Sequence, residues 1–144
     1  MNANKIAARI LEDVRVNVRI RLSALWITLM LFYIYADILG FYTPGVIEDV
    51  ISEEIGGVQI TEGFLFVMAI WMAIPSLMVI LSLALRPTVN RWVNIIVGLI
   101  SIVMLGASFF AGSISVRYLF QAIVEGVLMV WIVGQAWWWP RKEV

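Results

Sequence analysis

The chain has 144 residues, of which 62% are hydrophobic and 14% charged; its ten basic and ten acidic side chains cancel to no net charge. Soluble domains carry about 45–50% apolar and about 25% charged residues, so a water-soluble core of this length could not hide so much apolar surface, and an integral membrane protein is expected. With neither Cys nor His, disulfide exchange, thiol nucleophiles, Cys/His zinc sites, His-ligated haem and His-based triads are excluded, and no metal or cofactor is expected.

Residues 4–22 hold five of the ten basic side chains: Lys5, Arg9, Arg15, Arg19 and Arg21. On a helical wheel Ile6, Ala7, Ile10, Leu11, Val14 and Val18 fall opposite Lys5, Arg9, Glu12, Arg15 and Arg19. That pattern predicts an interfacial helix whose basic face meets anionic headgroups. From Val14 to Leu22 apolar and polar residues also alternate, which is a strand period; helix is preferred because a lone strand beside a bilayer leaves backbone groups unpaired. Beyond these arginines nothing supports nucleic-acid binding.

Residues 23–42 form the first span, a nearly unbroken apolar run with one acid, Asp37, inside it. No A-x-A-like site follows, so a retained anchor is expected rather than a cleaved signal. Residues 44–56 carry Glu48, Asp49, Glu53 and Glu54 and no base. Thr43 as N-cap, Pro44 in the first turn, an apolar stripe from Val46 to Ile55 and the stop Gly56-Gly57 predict a short amphipathic helix on the outer surface.

The second span is expected at residues 63–85, capped by Thr61 and kinked at Pro75, with Arg86–Arg91 as a tight basic loop. The third covers residues 92–111. Its Asn94, Gly98, Ser101, Leu105, Ser108 and Gly112 recur at steps of four and three, a small-residue seam that admits a close neighbour. The fourth, residues 116–138, ends in Trp137-Trp138-Trp139, residue types that favour the membrane boundary, with Arg141 and Lys142 beyond. The fold class is thus all-α: one integral membrane four-helix bundle over residues 1–144, with an interfacial N-terminal helix and a short extracytoplasmic helix between the first two spans. Termini inside would leave nine of the ten basic residues cytoplasmic, so the positive-inside rule gives a multi-pass protein of the cytoplasmic (inner) membrane, N-in and C-in.

The polar groups at depth are the candidates for chemistry. Asp37 lies about 7–8 Å inward from Tyr42 at 1.5 Å per residue. Arg117, Gln121 and Glu125, spaced by four, share a helix face, and Tyr33 sits one turn below Asp37. A charge at the centre of a span costs about 2.5–3.5 kcal/mol. The acids of the first and fourth spans are therefore expected to face each other inside the bundle, with Arg117 as counter-ion and Tyr33 and Gln121 as hydrogen-bonding support. One arginine cannot neutralise two acids, so either a carboxyl holds a proton or water reaches the site.

This points to an outward-facing polar pocket for a small solute, a proton, or both. The alternative is a structural or accessory membrane subunit in which the buried charges serve only helix packing. An enzyme is the weakest of the three. The expected partners are the lipid bilayer itself, with anionic headgroups at the N-terminal helix, and a second copy or another membrane protein.

Leu22-Ser23-Ala24-Leu25-Trp26, Tyr33-Ile34-Tyr35-Ala36-Asp37 and Pro44-Gly45 resemble an uncharacterised family of small prokaryotic four-transmembrane-helix proteins, a domain of unknown function. The resemblance implies four spans and supplies no activity. In layout the chain is also similar to small multidrug transporters, which place an essential acid in the first of four spans. Asp37 matches that acid in kind, whereas the strong charge bias and the long acidic loop depart from that pattern.

Overall fold

The computed structural model describes residues 16–55, 57–110 and 115–140. Four helices in it are long and apolar enough to cross a membrane, as the runs of apolar residues require when no water is present to satisfy an open backbone. The first, α1, spans Val18–Phe41. It starts ahead of Ser23 because Asn17 caps it, its side-chain oxygen accepting the backbone N–H of Arg19 at 3.0 Å. Val18–Leu22 are therefore helical and continuous with the first span, and the alternating pattern there does not make a strand. The rest of the expected interfacial helix, residues 4–15, lies outside the described residues.

The segment after α1 departs most from expectation. Helix α2 is only Val46–Ile51, and its N-cap is Gly45 in the left-handed region (φ 90°), not Thr43. Glycine alone enters that region without a Cβ penalty, so the chain turns there and helix begins one residue later. The helix does not run on to Ile55: Glu54–Ile55 (β1) and Val58–Gln59 (β2) pair as a small antiparallel hairpin. Glu53 turns the chain with a positive φ of 61°, and its carbonyl accepts the N–H of Ile60 at 2.7 Å. A single helical turn with exposed sides has little packing to extend it, so the local turn prevails.

Helix α3 is Glu62–Ala84, capped by Thr61, whose hydroxyl accepts from the N–H of Phe64. Pro75 lies inside it, buried, and removes the N–H that the Trp71 carbonyl would otherwise bond. Leu85 and Arg86 alone connect α3 to α4, Pro87–Ser108. The expected basic loop to Arg91 is helix instead, because Pro87 occupies the first helical turn, where its fixed φ and missing N–H cost nothing. Helix α5, Val116–Trp137, begins at a Ser115 cap. At its end Trp137 and Trp138 are exposed, and the Arg91 guanidinium stands 5.8 Å from the Trp137 ring.

Side-chain bonds set the direction of each helix. Arg19 at the start of α1 donates to the Leu83 carbonyl at the end of α3. Arg117 at the start of α5 reaches Thr43 just past α1. Ser108 at the end of α4 bonds Tyr118 at the start of α5. Neighbours are thus antiparallel, and the helices circle in the order α1, α3, α4, α5, with α4 on α5 and α1 on α3 as the extensive pairs and α3 on α4 the sparse one. One end of the bundle gathers Val18, Ala84, Pro87 and Trp137; here it is called the terminal end, and the end bearing α2 the loop end.

The core lies in the terminal half. Leu22, Trp26 and Leu29 of α1 meet Met78, Ile95, Met129, Ile132 and Ala136 there. Of the seam expected on α4, Asn94, Gly98 and Ser101 are buried, and at Gly98 the neighbour is α5, where a Cβ would lie 2.6 Å from Cγ2 of Val133; Gly112 lies outside the described residues.

Candidate functional site

The candidate residues gather on α1 and α5 toward the loop end. Counted from the helix ends at 1.5 Å per residue, Tyr33 lies about 12 Å below Phe41 and Glu125 about 13 Å below Val116, so the phenol and the carboxylate are level. Asp37 lies one turn nearer the loop end. The helices are adjacent. Glu125 and Tyr33 are half-buried and Asp37 is exposed.

Arg117 stands apart from this pair. Its guanidinium donates to Gln121 Oε1 and Thr43 Oγ1, each at 3.2 Å. It therefore ties the first turn of α5 to its second and to the chain leaving α1, and these bonds run to neutral oxygens rather than to a carboxylate. Gln121, half-buried, is held by Arg117 with its oxygen toward the loop end.

Beside these groups the loop half is hollow. A cavity of about 90 Å³ lies between α1, α3 and α4, walled by Tyr33, Trp71, Pro75, Val97 and Ser101 among others. It adjoins a wider one of about 230 Å³ toward the loop end, which shares Tyr33, Trp71 and Ser101 and adds Met68, Met72, Met104 and Ser108. The crevice follows the sparse α3–α4 contact, and Ile74, Ile100, Met68 and Met104 on its edges are exposed on the outer surface. Its walls are apolar apart from the Tyr33, Ser101 and Ser108 hydroxyls. Asp37 and Glu125 do not form its wall; Tyr33, one turn from Asp37 on α1, does. Among the described residues no group of acids could hold a metal ion.

A family described as a family of unknown function, DUF6326, matches residues 9–144. The chain belongs to that family. No curated protein and no solved structure matches it. Membership of DUF6326 together with four spanning helices makes this a multi-pass membrane protein of an uncharacterised family.

The most ordered polar cluster in this DUF6326 member escaped the sequence. At the terminal end, Trp26, Ser82, Asn90 and Asn94 are buried together. Asn94 Oδ1 accepts from Trp26 Nε1 at 2.7 Å and from Ser82 Oγ at 3.3 Å; its amide donates to the Asn90 carbonyl at 2.9 Å and to Asn90 Oδ1 at 2.7 Å. Asn90 Nδ2 in turn donates to the Ser82 carbonyl at 2.6 Å. Three helices, α1, α3 and α4, are thereby joined through groups that have no water to fall back on. The available signal was two asparagines one turn apart at membrane depth: Asn94 counted only as a seam residue, and Asn90 fell in an expected loop.

Proposed function

We propose that the loop half of the bundle receives a small solute, a proton, or both, with Asp37 and Glu125 as the proton-binding groups. One observation carries this: Asp37 and Glu125 stand in the loop half of two packed helices, α1 and α5, in the same half as a crevice that Tyr33 borders. Two acids at such a place share their protons as a pair, and a solute seated against Tyr33 would be within reach of that exchange. Arg117 and Gln121 support the site from the loop end. The basic residues Arg19, Arg21, Arg86 and Arg91 at the terminal end and the acids Glu48, Asp49, Glu53 and Glu54 at the other support an inner-membrane protein with both termini in the cytoplasm.

The test is proton passage into vesicles that hold a pH-sensitive dye, after an imposed pH step. Vesicles carrying the protein should equilibrate faster than empty ones, and Asp37→Asn or Glu125→Gln should remove the difference while the protein stays folded and inserted. Unchanged passage in both variants would refute the proposal. A purely structural role for the acids is favoured by one fact, that neither forms the crevice wall; it requires that both substitutions leave passage untouched and stability equal or higher.

A further inference from the structure

A different cleft lies on the outside of the bundle, in the seam between α1 and α5, with a volume of about 340 Å³. Its lining is sorted by depth. Arg21 and Gln135 sit at the terminal end, Arg21 within the first turn of α1 and Gln135 just before the boundary tryptophans Trp137 and Trp138. Deeper along α1 come Ala24 and Thr28; deeper along α5 come Trp131 and Leu128. From Arg21 to Thr28 the groove climbs about 10 Å at 1.5 Å per residue. The exposed Ala24 hollows the α1 wall. The Thr28 hydroxyl is turned back onto the Ala24 carbonyl at 2.9 Å, so below its mouth the groove's side chains offer only the Trp131 indole N–H as a polar group. Trp131 is exposed and supplies a broad flat side.

We propose that this groove holds one anionic glycerophospholipid, with its phosphate on the Arg21 guanidinium beside the Gln135 amide and one acyl chain laid along Ala24, Thr28, Leu128 and Trp131. The chemistry selects such a molecule. The mouth is cationic and hydrogen-bonding at headgroup depth, and a guanidinium fork matches phosphate oxygens. The channel is apolar and runs parallel to the helices toward the bilayer centre, as an acyl chain does. A second copy of the chain packed symmetrically on the same seam would bring Arg21 against Arg21, a repulsion that a lipid phosphate replaces with attraction. The site is remote from Asp37 and Glu125 and does not depend on any role for them.

Native mass spectrometry of the detergent-purified full chain, titrated with phosphatidylglycerol and with phosphatidylcholine, tests this. The first phosphatidylglycerol should bind more tightly than the first phosphatidylcholine. Arg21→Gln should weaken the former about fivefold, the factor one basic side chain is worth at an anionic surface, and the latter less, because its choline cation already offsets the phosphate. Arg86→Gln, a basic residue at the same end but outside the groove, should behave as wild type. Ala24→Phe, which fills the channel, should weaken both lipids. Equal phosphatidylglycerol affinity in wild type and Arg21→Gln, or an equal loss in Arg86→Gln, would overturn the proposal. Should Arg21→Gln fail to fold, wild-type lipid affinity in Ala24→Phe would overturn it alone. A dimer that Ala24→Phe disrupts and added lipid leaves intact would assign the groove to a second copy instead.

Discussion

Replacing Asn94 with leucine removes the hub of the buried network while keeping the number and branching of the side-chain heavy atoms. Four hydrogen bonds disappear, two accepted from Trp26 and Ser82 and two donated to Asn90. The bond from Trp26 sets the cost, since Ser82 can turn to its own helix carbonyl and Asn90 keeps its bond to the Ser82 backbone. Interhelical hydrogen bonds measured in membranes average about 0.6 kcal/mol and reach about 1.7. The indole N–H of Trp26, wholly buried, is left without a partner, which adds about 1–3 kcal/mol where nothing relaxes. Because the unfolded chain in a membrane also finds partners, the lower end applies, and a loss of about 1–3 kcal/mol is expected, roughly a tenfold shift in the unfolding equilibrium per 1.4 kcal/mol. Reversible unfolding in mixed micelles reads it, and a double-mutant cycle with Trp26→Phe isolates the indole–amide pair, with an expected coupling of about 0.6–1.7 kcal/mol. Zero coupling, or an Asn94→Leu protein as stable as wild type, would refute the claim that this cluster holds the terminal end together.

Gly98→Ala sets a methyl against Val133 Cγ2 at 2.6 Å, and the β-branched valine has no easy rotamer to yield to. It should cost about 1–3 kcal/mol in the same unfolding assay, with Val133→Ala restoring much of the loss. Ser115→Ala removes the hydroxyl that accepts the Tyr118 N–H at 3.1 Å and should destabilise by about 1 kcal/mol, with faster amide exchange confined to the first turn of α5.

Long apolar runs made the four spans readable, because hydrocarbon permits so few backbone solutions. The Thr61 cap fell where capping chemistry puts it, and Gly98 in the stepped pattern on α4 marked a close approach of α5. What sequence concealed was where polar groups turn. Arg86–Arg91 looks like a loop by composition, yet Pro87 starts a helix there and Asn90 points inward to partners on another helix. The stripe running through Ile55 suggested a longer α2, but Glu53 and Gly57 adopt positive φ and bend the chain into a hairpin instead. The cost of a charge at depth is what led Asp37 and Glu125 to be expected opposite each other. It could not show that the neighbouring space is lined by Trp71, Met72 and Pro75, since an apolar side chain reads alike in sequence whether it meets lipid, protein or a void.

The edges of that void lie on the perimeter, between α3 and α4, at Ile74, Ile100, Met68 and Met104. In a bilayer this doorway faces hydrocarbon chains sideways instead of the aqueous phase. A visitor would arrive by first dissolving in the leaflet and then diffusing in two dimensions, so its occupancy would follow its oil–water partition coefficient more closely than its concentration in solution.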